Sequence, residues 1–200
     1  MATKATRRTQ AERTEATTGA LVEAARELFA QNGYEATSLA AVGAQAAVTK
    51  GAVYHHFSGK RQLFEAVFTG EVERLTAKLV AAYGRKKDPW AAFQAACLAF
   101  LDECRDPGLQ RIVLLDASTA IGWEQVRRIE APLLALMETA ITRAAKAGRI
   151  AARPPEPLAS FIFGALCETA MAVARAEDQP TAHQRAVRET RRILDGLAKS

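Results

Sequence analysis

The sequence predicts an all-α fold, and three observations carry that reading. Apolar residues recur at helical spacing along most of the 200-residue chain. No stretch alternates apolar and polar residues as a half-buried strand does, and no Asn-Gly hairpin signal occurs. The segments are punctuated by helix starts and stops: Ser38, Thr49, Asp88-Pro89 and Asp106-Pro107 on one side, Gly33, Gly84 and Gly148 on the other.

Residues 1–14 are polar, basic and rich in small side chains, the composition of a flexible arm. Such an arm is either a neutral tail or, through Arg7, Arg8 and Arg13, a reach toward nearby phosphates or a minor groove. The first helix then places Leu21, Ala24, Ala25, Leu28 and Phe29 on one face and stops at Gly33 as a C′ glycine. Ser38 caps a short helix with Leu39, Val42 and Ala46 on its apolar face. The chain breaks at Ala47 and Val48, and Thr49 caps a second short helix carrying Ala52, Val53, Tyr54 and Phe57. Two capped helices of under about ten residues, joined by so few residues, cross steeply, which is the arrangement of a helix-turn-helix.

After Ser58-Gly59, residues Leu63, Phe64, Val67, Phe68, Val72, Leu75 and Leu79 continue at helical spacing to Gly84. A helix of about 25 residues is too long for the small domain alone and would act as a lever across a boundary near residue 70. Asp88-Pro89 opens a helix with Trp90, Phe93, Cys97, Phe100 and Leu101. Asp106-Pro107 opens a segment through Leu114 and Leu115 that is expected to loosen from Ser118 to Gly122. Trp123 starts a long helix with Val126, Ile129, Leu133, Leu134, Met137 and Ile141, which Pro132 should kink. After Pro154, Pro155 and Pro157 come Leu158, Phe161, Ile162, Phe163, Ala165, Leu166, Met171 and Val173, apolar on more than one face and so expected to be buried all round. Ala186, Val187, Ile193, Leu194 and Leu197 mark a final amphipathic helix.

The second short helix has chemistry that a core helix does not need. Thr49, Lys50 and Gly51 crowd its N-terminus, where free amides and the helix dipole favour an anion. Lys50 runs against the preference for acids in a first turn, and Gly51 costs about 1 kcal/mol relative to alanine, a loss that makes sense where another backbone comes close. Tyr54, His55 and His56 add polar tips that can reach phosphates or base edges. The spacing alone leaves two readings open, a reader of DNA and a plain solvated helix pair.

The stretches 25–38 (ARELFAQNGYEATS), 48–57 (VTKGAVYHHF) and 60–64 (KRQLF) resemble the N-terminal domain of the TetR family of one-component repressors, over about residues 15–68. The resemblance implies about nine helices, with a helix-turn-helix DNA-binding domain followed by a helical ligand-binding and dimerisation bundle over residues 69–200. By position it assigns DNA contacts to Thr37, Ser38, Thr49, Lys50, Tyr54, His55 and Lys60, with Gly51 where the backbones approach. Ala47 departs from the family pattern, which has glycine there. The turn must then be made at negative φ or at a cost of about 1 kcal/mol. The implied protein is a homodimer on a pseudo-palindromic double-stranded operator, released by a small ligand.

Composition agrees. The net charge of +5 is modest, and the first 61 residues hold eight basic against five acidic side chains. Cys97, Cys104 and Cys167 lack metal spacing and sit in apolar helical patterns, as buried reduced thiols of a cytoplasmic protein do. There is no G-x-S-x-G, glycine-rich phosphate loop, H-E-x-x-H or C-x-x-C, and three histidines give a nucleophile relay little to work with. The expectation is therefore no enzyme, no cofactor and no metal. No apolar run is expected to serve as a membrane span of about 18 residues, and no signal-peptide core is apparent. The alternative in another class is a small-molecule carrier or interaction bundle without specific DNA readout.

Two further assignments concern the second domain. Phe163, Leu166 and Met171 with Ile193, Leu194 and Leu197 exceed what one small bundle can bury and are expected to form an isologous four-helix dimer interface. An effector pocket is expected among Trp90, Phe93, Cys97, Phe100, Leu115, Trp123, Met137, Phe161 and Glu168. In that picture Glu168 is buried and needs Arg111 or a cationic ligand as partner, so the expected effector is apolar and can carry a positive charge.

Overall fold

The computed structural model describes residues 9–198. Its first helix, α1, runs Gln10–Ala36 and begins earlier than the composition suggested. Thr9 and Glu12 form a capping box: Thr9 Oγ1 accepts from the Glu12 amide at 3.2 Å and the Thr9 amide donates to Glu12 Oε2 at 2.7 Å. Residues 9–14, expected in the arm, are therefore helix start, and Arg7 and Arg8 lie outside the described residues. Gly33 breaks α1 near its end with φ 78° and ψ 172°, a backbone region essentially restricted to glycine.

Ser38 Oγ caps α2 (Leu39–Gln45) by accepting from the Ala41 amide at 3.1 Å, and Thr49 Oγ1 caps α3 (Lys50–His56) by accepting from Ala52 at 3.2 Å. The turn between them is made at a cost: Ala47 adopts φ 54°. The left-handed conformation disfavours any side chain with a Cβ, so Ala47→Gly should raise stability by about 1 kcal/mol. An unchanged or lower urea midpoint would contradict this account of the turn. Gly43 does the converse job, since a Cβ there would lie 2.9 Å from Val53 Cγ2 and hold α2 and α3 apart.

Helix α4 (Lys60–Gly84) spans both parts of the molecule. Leu63, Phe64, Val67, Phe68 and Val72 enter the N-terminal core with Leu21, Phe29, Val42 and Val53, whereas Leu75 and Leu79 enter the second core. The N-terminal core does not close on residues 15–68 alone: Ile112, Ala117, Ala120, Ile121 and Val126 complete it. Buried Glu71 on α4 takes Arg26 of α1 and Arg74 as partners, fixing the crossing of the two helices.

The remaining chain forms α5 (Pro89–Glu103), α6 (Pro107–Leu109), a π-helical turn region (Gln110–Asp116), α7 (Ala117–Ile121), α8 (Trp123–Lys146), α9 (Pro155–Ala174) and α10 (Gln179–Asp195). Taking 107–121 as one continuous helical stretch gives nine helices among the described residues. That stretch does not loosen at Ser118; its irregularity lies earlier, at 110–116, and it ends at Gly122 with φ 84°. Helix α9 is not buried all round. Phe161, Gly164, Ala165, Glu168 and Ala172 form an exposed stripe, because the bundle covers only the opposite face with α8 and α10. At 20 residues and a hydropathy of 1.6, α9 does reach the length and composition of a membrane span, contrary to the expectation for this chain, although it packs as a bundle helix.

Candidate nucleic-acid interface and effector cavity

The face of α3 opposite the core carries Lys50, Gly51, Tyr54 and His55, all exposed. Fully buried Val53 and nearly buried Phe57 anchor the other face, so the exposed set is held rigidly. His56 is turned inward and its Nδ1 lies 3.0 Å from Thr18 Oγ1 on α1. Lys50 Nζ lies 6.0 Å from the Tyr54 ring centre, placing a charge and a phenol side by side. Ser38 and Thr49 accept the capping bonds through oxygen, which leaves each hydroxyl hydrogen free to donate outward. A Cβ on Gly51 would meet nothing within 4 Å, so no neighbour in the chain demands glycine there.

Two assigned residues sit elsewhere than expected. Thr37 is buried, and its hydroxyl donates to the carbonyls of Gly33 at 2.8 Å and Leu28 at 3.2 Å. It secures the break in α1 and cannot reach a phosphate. Lys60 donates to the carbonyls of Tyr34 at 2.9 Å and Glu35 at 3.1 Å and lies 4.3 Å from the Tyr34 ring centre. Its ammonium caps the end of α1 and keeps one N–H to spare.

Two cavities open among the helices of the second half. One, of about 210 Å³, lies between α4, α5, α8 and α9 and is lined by Phe93, Cys97, Phe100 and Met137, with Arg143 as its charged residue. The other, of about 340 Å³, lies between α4, the π-helical segment, α8 and α9, and is lined by Leu75, Phe100, Leu114, Trp123, Glu130 and Glu168 among others. The nine residues expected in one pocket are thus divided. Trp90, Leu115 and Phe161 line neither. Trp90 is buried with its Nε1 donating to the Leu194 carbonyl at 3.2 Å, and Phe161 is 70% exposed.

Glu168 is exposed rather than buried, and Arg111 is bound to Asp116 at 3.0 Å, away from it. The buried carboxylate that lines the larger cavity is Glu130, which sequence reasoning passed over. Its position three residues before Leu133 and four after Val126, in the apolar stripe of α8, is the signal that could have found it. Burial raises the Glu130 carboxyl above its ordinary range, against the opposing pull of Arg127. Burial also pushes the Cys97 and Cys167 thiols up to about 12, and Cys104 upward as well. We expect all three thiols to resist iodoacetamide at neutral pH until the chain unfolds, since the thiolate is the reactive form. Rapid native alkylation, followed by mass spectrometry, would contradict that.

Elements that border the larger cavity also bond to the end of α1 and the start of α4. Val113 and Leu114 of the π-helical segment line the cavity, and Asp116 at its end accepts from the Tyr34 amide at 2.7 Å, just before the helix-turn-helix. Arg61 at the start of α4 donates to the Ile121 carbonyl at 2.6 Å, and Gln125 donates to Glu65 at 2.7 Å.

Comparisons with known proteins decide the family. Residues 21–67 match the bacterial regulatory proteins of the tetR family, and residues 90–197 match the tetracyclin repressor-like C-terminal domain. The chain belongs to the tetR family. A crystal structure of a TetR-family transcriptional regulator from Pectobacterium atrosepticum is 33% identical, with a TM-score of 0.86 over 96% of this chain and 99% of that one. The Transposon Tn10 TetC protein of Escherichia coli is 32% identical over 120 residues, 60% of each chain, so the match spans less than two thirds of that relative. The FadR regulator of Bacillus subtilis, solved with stearoyl-CoA, shares the fold at 17% identity, with a TM-score of 0.71 over 86% of this chain and 96% of that one. The protein is therefore a transcriptional regulator with a DNA-binding helix-turn-helix domain and a helical C-terminal domain.

Part of the expected dimer face belongs to the chain's own core. Phe163, Leu166 and Leu194 are buried in it, Leu197 packs against it, and Met171 lines the larger cavity. Phe161 and Ile193, 70% and 61% exposed, are the large apolar side chains that α9 and α10 leave to solvent.

Proposed function

We propose that this tetR-family chain is a ligand-responsive repressor that binds a pseudo-palindromic operator as a homodimer and is released by a small hydrophobic effector. The observation that carries the reading is the α3 face, where Lys50, Tyr54 and His55 stand exposed on a helix sealed from behind by Val53. Lys50, Tyr54, Ser38 and Thr49 hold phosphates, with the spare N–H of Lys60 beside them, while Gly51 lets a DNA backbone approach and His55 reaches a base edge. Thr37 only positions this face.

The dimer forms through the exposed stripe of α9, centred on Phe161, Gly164 and Ala165, together with Ile193 of α10. Leu75 of α4 and Leu114 line the larger cavity, so an effector there presses on the helix that continues from α3 and on the segment that holds Tyr34. It releases DNA only if it binds better to a conformer whose two α3 helices no longer match half-sites about 34–36 Å apart.

The test is retardation of duplex from the gene's own upstream region against random competitor, with light scattering on the free protein. The expected result is a dimer mass and a complex that competitor does not displace. A monomer mass, or equal binding to random DNA, overturns the reading and favours a carrier.

A further inference from the structure

Glu130 is 9% exposed, on the inward face of α8, yet among the described residues its carboxylate accepts a single bond, from Arg127 at 3.3 Å. That is long for a charged pair. Arg127 is committed elsewhere too, its guanidinium lying 5.4 Å from the Trp123 ring centre and 5.2 Å from that of Phe163. A carboxylate offers about four acceptor sites, so Glu130 keeps unused capacity, and it lines the larger cavity. Around it stand Phe100, Phe163, Met171 and Cys167, with Trp123, 65% exposed, at the rim, rings and sulfur suited to an apolar body. The volume of about 340 Å³ exceeds the roughly 150 Å³ that admits benzene. The charged side chains lining it are Glu130 and Glu168 against Arg127, an excess of one negative charge. The smaller cavity differs in both respects, lined by Arg143 and no carboxylate.

We propose that the larger cavity takes an aromatic molecule of one or two rings that turns a hydrogen-bond donor, hydroxyl or ammonium, to Glu130, and that it rejects carboxylates. This deepens the effector reading above and rests on it for its biological meaning. The binding chemistry is separable. The excess negative charge of the lining opposes a carboxylate guest, whereas a donor-bearing guest meets the unused acceptor sites of Glu130.

The test is calorimetric titration of the full chain, without DNA, with four probes of one body: 2-naphthol, 2-naphthylmethylamine, naphthalene and 2-naphthoate. At least one donor-bearing probe should bind about tenfold or more tighter than naphthalene, since a bond to a charged group is at stake. Naphthoate should bind weakest. In Glu130→Gln the donor preference should shrink to about twofold, and naphthoate should gain, because the amide can donate to it. Which donor wins tells hydroxyl from ammonium. If naphthoate binds wild type as tightly as the donors do, if Glu130→Gln leaves the order unchanged, or if no probe binds at millimolar concentration, the assignment is overturned. Should Glu130→Gln fail to fold, the order in wild type decides alone. Donor-selective binding by a protein that retards no duplex would instead sink the regulatory reading and leave this one standing.

Discussion

Gly33→Ala is expected to lower the unfolding free energy by about 1–3 kcal/mol from backbone strain alone. At φ 78° the position tolerates no Cβ, and one built there would lie 2.2 Å from Arg111 Nη2. Arg111 must therefore leave, breaking its 3.0 Å contact with Asp116, the same carboxylate that holds the Tyr34 amide. The loss falls at the junction between α1 and the capped start of α2, so operator affinity should drop along with stability. Urea unfolding of Gly33→Ala, Arg111→Ala and the double variant separates the two causes. The double variant should recover the part due to collision, a coupling of about 0.5–3 kcal/mol between touching residues, but not the part due to φ. Equal midpoints for wild type and Gly33→Ala would show that the junction is not held as described.

Lys50→Ala combined with Tyr54→Phe is expected to weaken operator binding roughly 100-fold, the sum of a charged and a neutral hydrogen bond to phosphate. Both side chains are exposed, so the unfolding midpoint should stay put. Lys50→Ala alone should weaken all sequences alike and reduce the salt slope by about one unit, whereas loss of discrimination at one operator position would mean a base contact. Operator affinity unchanged in the double variant would remove α3 from the DNA interface.

Much of this architecture was legible because local chemistry decides helix ends. Ser38, Thr49, Asp88 and Asp106 each cap the helix they were expected to cap, and α4 has the 25 residues its apolar spacing implied. The Thr9–Glu12 capping box was equally visible in the sequence, but the basic, small-residue composition around it pointed to an arm. What spacing could not decide was which apolar stripe meets which neighbour. Residues Phe161 and Phe163 look alike in sequence, yet one faces solvent and the other the core, because α9 is covered on one side. The same ambiguity exchanged Glu168 for Glu130 as the buried carboxylate of the cavity. The π-helical segment had no signature at all, since its register depends on packing Ile112 into one core and Leu109 into the other.

The central claim is that two copies of α3 read a symmetric DNA site, and selection of bound duplexes from a random pool tests it most directly. Enrichment of one pseudo-palindrome whose half-sites lie about 34–36 Å apart is expected, with Lys50→Ala protein losing affinity for it. Recovery of unrelated sequences, or of a single half-site bound by one chain, would contradict it.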